Sequence, residues 1–204
     1  MSSPSATVFI VDDDASYLKA VARLLRASGY AIQAFSSARD FLEQLRPEMC
    51  GCVIADLRMP GLNGLELQEA LSKATNPLPI IFLTGQGDIP TSVRAMRSGA
   101  EDFLMKNAPK EELLEAVERA LMRAKQERSQ REHLQTLRQR FAALSARERE
   151  VLTHVLRGKL NKQIAADLGI NERTVKLHRT SITRKLGIRS VAELTGLAKE
   201  AGIE

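Results

Sequence analysis

The sequence predicts an α/β doubly wound domain with a five-stranded parallel sheet, followed by a small all-α domain of four helices that contains a helix-turn-helix. Three observations carry this prediction. Short apolar runs alternate with segments of helical period through the first 122 residues, only helical period continues after them, and the balance of charge changes sign between the two parts.

TVFIV (7–11) reads as the first strand, and ASYLKAVARLLRASG follows with Leu18, Val21, Ala22, Leu24 and Leu25 on one helical stripe and Gly29 where a helix would stop. AIQAF (31–35), CVIAD (52–56), PIIFLT (79–84) and DFLM (102–105) read as four more strands. SARDFLEQL, LELQEALSK, TSVRAMRSG and EELLEAVERAL supply the intervening helices. Five β-α repeats imply parallel strands with helices on both faces, because parallel neighbours are joined by crossover helices. Sheets of this kind bind ligands beyond the carboxyl ends of their strands. Those ends carry Asp12 and Asp13, Asp56, Thr84 and Lys106. One Asp at a strand end is most simply a turn or cap, but five such residues on four strands point to a site. Carboxylates brought together repel one another unless a cation neutralises them, and hard oxygen donors with open positions suit Mg²⁺.

A single helix is predicted over 110–142. Leu113, Val117, Ala120, Leu121 and Ala124 give it a core-facing stripe; KQERSQREH then contains no apolar residue, and Leu134, Leu137 and Phe141 return to apolar contact. The gap breaks any long heptad repeat, so the expected organisation is a first domain at 1–122, a charged helical linker at 123–141 and a second domain at 142–204. His133 in the linker reads as a solvated side chain. Ser145 and Glu148 have capping-box spacing, and helices follow at 146–157, 161–168, 172–186 and 190–201, separated by Gly158, Gly169 and Gly187. The middle pair, joined by a short turn, fits a helix-turn-helix.

Composition narrows the function classes. Hydrophobic content of 44% and charged content of 27% are ordinary for a globular protein. No apolar run approaches the roughly 18 residues of a membrane span, and the first residues lack the pattern of a signal peptide, so no membrane partner and a cytoplasmic location are expected. Cys50 and Cys52 are too few for a tetrahedral metal site or a disulfide framework and read as reduced core or near-core residues. Residues 1–122 carry 12 Lys plus Arg against 16 Asp plus Glu, a net −4, whereas the rest carries 18 against 9, a net +9. Within 145–190 the ratio is 11 to 4, a basic density suited to phosphates along DNA.

FIVDDD, ADLRMPGLNG, LTGQGD and DFLMK resemble the receiver domain of response regulators, which has a flavodoxin-like fold. LSAREREVL, NKQIAADLGI and TVKLHRTSITRKLG resemble the LuxR-type four-helix DNA-binding domain, and the layout as a whole is similar to the FixJ/NarL class of two-component response regulators. The resemblance implies a phosphorylation-activated transcriptional regulator in which Asp56 accepts a phosphoryl group from a sensor histidine kinase. It further implies Mg²⁺ held by Asp13 and Asp56, by Asp12 through water and by the Arg58 backbone carbonyl. Thr84 and Lys106 would contact the phosphoryl group, and the Phe103 ring would turn inward as Thr84 moves. In the second domain, Lys176, Leu177 and Thr180 would reach base edges in the major groove of double-stranded promoter DNA, with Lys162, Thr174, His178, Arg179 and Arg184 on phosphates. Ile164, Ala165, Leu168, Val175 and Ile182 read as core. A homodimer is expected when the protein is phosphorylated or DNA-bound.

The chain departs from the receiver pattern at one place. Asn107 follows Lys106 where receivers usually have proline after a cis peptide, and a non-proline cis bond costs roughly 2.5–4 kcal/mol, so a trans or mobile loop is expected here. Arg58 and Gln86, two residues beyond Asp56 and Thr84, border the path of attacking water in this family and are candidates for tuning hydrolysis of the phosphoryl group. Enzymatic activity is expected only as self-phosphorylation from a donor and autodephosphorylation. Two other readings use the same residues: a DNA-binding regulator whose degenerate receiver ignores phosphorylation, and a Mg²⁺-dependent aspartyl phosphatase of the haloacid-dehalogenase kind. The latter would need Asp12 as nucleophile and a substrate cap, for which no segment is available.

Overall fold

The computed structural model describes residues 6–85 and 89–203. Strands β1 (Thr7–Val11), β2 (Ala31–Phe35), β3 (Gly51–Ala55), β4 (Ile80–Thr84) and β5 (Asp102–Met105) form one parallel sheet in the order β2-β1-β3-β4-β5. Helices α1 (Ala15–Ala27), α2 (Ala38–Gln44), α3 (Gly64–Ser72), α4 (Ile89–Arg97) and α5 (Lys110–Ala142) connect and follow them.

Alternation along the strands divides the core between the two faces of the sheet. Val8, Ile10, Cys52, Ile54, Ile81 and Leu83 pack against Val21, Ala22 and Leu25 of α1 and Leu113, Ala116, Val117 and Ala120 of α5. Phe9, Val11, Val53, Ala55 and Phe82 face the other way, under Phe41 of α2, Leu67 and Leu71 of α3 and Ala95 of α4. With both faces covered, β3 and β4 are buried throughout, which is why they read as continuous apolar runs. Gly51 makes the entry to β3 possible, because a Cβ there would lie 1.7 Å from the Thr7 carbonyl oxygen of β1. The strand expected at 52–56 therefore begins one residue earlier and ends at Ala55. Asp56 occupies the next position, its N–H donating to the Val11 carbonyl at 2.9 Å.

The chain divides into two compact units, Met1–Arg128 and Ser129–Glu204. Helix α5 contributes to both. Leu137 and Phe141, from the span expected to act as a linker, are buried in the core of the second unit with Leu144, Val151, Leu152, Val155, Ile164, Val175, Ile182 and Leu186. That core is completed by α6 (Ala146–Leu156), α7 (Asn161–Leu168), α8 (Glu172–Leu186) and α9 (Val191–Ala201).

Local chemistry sets the ends of these helices. Ser145 accepts from the Glu148 N–H at 3.2 Å while Glu148 accepts from the Ser145 N–H at 2.7 Å, a complete capping box at the start of α6. Gly169 closes α7 with φ of 62°, and Asn171 caps α8 by accepting from the Thr174 N–H at 2.8 Å. Ser190 caps α9, so that helix begins at Val191 rather than 190. Cys52 is fully buried and its thiol is pushed up to about 12 by that burial, while Cys50 is half-buried. Among the described residues, no helix is long and apolar enough to cross a membrane.

Candidate functional site

β1 and β3 are sheet neighbours from which the chain leaves toward opposite edges, the position where a parallel sheet opens a crevice at its carboxyl end. Asp12 follows β1 and Asp56 follows β3; they are only 3% and 8% exposed, whereas Asp13 is exposed. Carboxylate oxygens of all three lie within 4.8 Å of one another. Lys106, just past β5, reaches into the cluster with its Nζ 2.7 Å from Asp12 Oδ2 and 2.8 Å from Asp56 Oδ2. Burial pushes the Asp12 carboxyl above the usual carboxylate range despite hydrogen bonds from Lys106 and from the Asp14 N–H. Burial also opposes the Lys106 ammonium, but its bonds to Asp12 and Asp56 outweigh that and raise it. Three carboxylates against one ammonium leave an excess of negative charge on hard oxygen donors, and such a set fits a small divalent cation.

The loops beside the cluster are closely fitted. Arg58 is exposed, and its N–H donates to Asp56 Oδ1 at 3.3 Å. Gly64 opens α3 directly against the Asp56 main chain, where a Cβ would fall 2.5 Å from the Asp56 carbonyl oxygen and 2.9 Å from the Phe82 ring. Thr84 ends β4 at 1% exposure, and its carbonyl accepts from the Lys106 N–H at 2.8 Å. Phe103 is half-buried, with its ring centroid 6.2 Å from that of Phe82. Gln86 lies outside the described residues. No described peptide bond is cis, so Lys106–Asn107 is trans. Tyr17, in the first turn of α1, donates its hydroxyl to the Lys106 carbonyl at 3.3 Å, and the Lys106 Nζ stands 4.5 Å from its ring centroid. Burial raises the Tyr17 hydroxyl to about 12, so it remains a donor.

The second unit presents a basic helix. On α8, Val175, Ile182 and Leu186 are buried, while Arg173, Lys176, Thr180 and Arg184 are exposed at helical spacing with Leu177, itself 64% exposed, beside them. Lys162 is exposed on α7. Other predicted contact residues carry internal bonds: Arg179 Nη1 donates to Asn161 Oδ1 at 3.1 Å, the Thr174 hydroxyl to Asn171 Oδ1 at 2.9 Å, and the Thr180 hydroxyl to the Lys176 carbonyl at 3.0 Å. His178 is half-buried. Ile164, Ala165, Val175 and Ile182 are buried and Leu168 is half-buried. Glu148 ties α6 to α8, accepting from Ser181 Oγ at 2.6 Å and Lys185 Nζ at 2.7 Å. The Lys185 bond, then the Ser181 bond and the Ser145 N–H, hold its carboxyl down at about 2.

Sequence reasoning missed Tyr17 and Gly64 beside the carboxylate cluster and, on α8, Arg173, Ser181 and Lys185. Arg173 had a usable signal, lying three residues before Lys176 on the same helical face.

Residues 8–118 match the response regulator receiver domain, and residues 142–198 match the luxR family of bacterial regulatory proteins. The chain is 44% identical to the response regulator protein TodT of Pseudomonas putida, over 95% of this chain and 86% of that protein. It is 36% identical to the transcriptional regulatory protein FixJ of Bradyrhizobium diazoefficiens, over 96% of each. Among solved structures, the response regulator StyR has 46% identity and a TM-score of 0.87, with 96% of this chain and 99% of that one covered. A receiver domain and a LuxR-type DNA-binding domain therefore occur in one chain, which belongs to the FixJ-like response regulators, a family of transcription regulators.

Proposed function

We propose that this regulator is switched by phosphorylation of Asp56 by a sensor histidine kinase and acts by binding double-stranded promoter DNA through α8. The observation that carries the first half is the Lys106 ammonium on Asp56 and Asp12 at 2.8 and 2.7 Å, inside a three-carboxylate cluster. In the reaction, an Asp56 carboxylate oxygen bonds to phosphorus while the bond from phosphorus to the donor imidazole nitrogen breaks, and that nitrogen keeps the electron pair. Such transfers depend on positioning and neutralisation of charge rather than on protein covalent chemistry beyond the acceptor. Asp13, Asp56, the Arg58 carbonyl and, through water, Asp12 would hold Mg²⁺, whose contribution is neutralisation of the phosphoryl oxygens. Lys106 pairs with the remaining oxygen charge. Thr84 then donates its hydroxyl to the acyl phosphate, and Phe103 follows it inward.

On DNA, Lys176, Leu177 and Thr180 address base edges, while Lys162, Thr174, His178, Arg179 and Arg184 contact phosphates, with the protein acting as a homodimer. The exposed, basic side of α8 supports this reading. Intact-mass measurement after incubation with acetyl phosphate and Mg²⁺ tests the receiver half. The wild type gains one phosphoryl group, and Asp56→Asn or chelation of the metal prevents the gain. No gain in the wild type would overturn the reading.

A further inference from the structure

We propose that Tyr17 is a positioning residue for Lys106, fixing both ends of the lysine that neutralises the phosphoryl group. The inference rests on the reading of Asp56 as phosphoacceptor. Tyr17 touches Lys106 at two points that have nothing else in common. Its hydroxyl donates to the Lys106 carbonyl at 3.3 Å, and its ring face lies 4.5 Å from the Lys106 Nζ. The Lys106 backbone is thereby held on both sides, since its N–H already donates to the Thr84 carbonyl at 2.8 Å. The ammonium lies over the Tyr17 ring and is paired with Asp12 and Asp56.

This restraint matters because a lysine is a flexible point charge, and its four-carbon stem loses much rotamer freedom when it is confined. The loop that follows offers little other hold at Lys106: the bond to Asn107 is trans, Asn107 is exposed, and the next backbone bond runs from the Ala108 N–H to the Met105 carbonyl. Tyr17 is in turn well anchored. It sits in the first turn of α1, where its own N–H donates to Asp14 Oδ1 at 3.1 Å, and it packs on the core beneath α1 and α5. The β1–α1 turn that carries Asp12 and Asp13 is thus tied directly to the lysine that faces them.

The test uses the full-length protein, acetyl phosphate and Mg²⁺, with the rate of Asp56 phosphorylation followed by intact mass. In this reaction the Asp56 oxygen bonds to phosphorus, the bond between phosphorus and the acetyl oxygen breaks, and acetate leaves with the electron pair. Tyr17→Leu removes both contacts and is expected to slow the reaction about tenfold, while Tyr17→Phe keeps the ring and is expected to slow it about threefold. The separating measurement is a double-mutant cycle: in a Lys106→Ala background, Tyr17→Leu should have no further effect, because nothing is left to position. Tyr17→Phe is close to isosteric, so it keeps the test decisive if the leucine variant unfolds on heating below the wild type. Wild-type rates in both variants, or a full tenfold loss from Tyr17→Leu when Lys106 is already absent, would overturn the inference while leaving Asp56 as acceptor. A wild type that gains no phosphoryl group would overturn both.

Discussion

Glu148 is an instructive single residue because its carboxylate gathers donors from three places: the Ser145 N–H, the Ser181 hydroxyl and the Lys185 ammonium. Its folded-state pKa of about 2 lies below the ordinary value of 4.5, so its stabilising contribution is present above about pH 4.5 and is lost as the pH falls through 2. Glu148→Gln is expected to cost about 1–3 kcal/mol at neutral pH, with a difference from wild type that closes as the pH approaches 2. Denaturant melts across that range check it. The capping half of this role was legible in the spacing of Ser145 and Glu148; the partners on α8 were not, because they lie 33 and 37 residues away. Tyr17 escaped for the same reason, and Gly64 because its crowding against Asp56 leaves no mark in the sequence. Nothing local distinguishes a glycine that starts a helix from one that must clear the Asp56 carbonyl, and Tyr17 meets Lys106 across 89 residues. Gly64→Ala is expected to destabilise the first unit by about 1–3 kcal/mol through overpacking and to slow phosphorylation by displacing Asp56, both measurable on one purified variant.

Elements were far more legible than contacts. The five strands and the helix pair α7–α8 follow from hydrophobic period and from the glycines that separate the helices, so their boundaries shift by only about a residue. Helix α5 shows where pattern reading runs out. The single helix expected over 110–142 does run through the apolar-free KQERSQREH, but Leu137 and Phe141, assigned to a linker, are core residues of the second unit. Period identifies an apolar face; it does not say which partner covers it. On α8 the exposed basic face leads to contrasting expectations. Lys176→Ala should weaken specific binding by roughly 1–3 kcal/mol and relax sequence preference, as for a base-edge contact. Arg184→Ala should weaken specific and random DNA alike and lower the salt slope by about one. Titrations of both variants at several salt concentrations separate the two roles, and equal losses on random DNA for Lys176→Ala would remove it from the base-reading set.

At the scale of the whole molecule, an acidic site in one unit is proposed to control a basic helix in the other. Phosphorylation would add charge and acceptor oxygens at Asp56, which would draw in Thr84 and Lys106 and alter the surface formed by α4, β5 and the start of α5. Pairing of two phosphorylated receivers would raise the local concentration of the second helix-turn-helix and strengthen binding to a two-half-site operator without any new base contact. The segment 129–204 retains the whole core of the second unit, including Leu137 and Phe141, and is expected to bind DNA equally with and without phosphodonor. The most direct test compares wild type with Asp56→Asn, each with and without acetyl phosphate and Mg²⁺, by titration of a two-half-site operator alongside sedimentation. Phosphorylation as the switch predicts tighter binding and a larger species only for wild type with donor; identical behaviour of all four samples would contradict it.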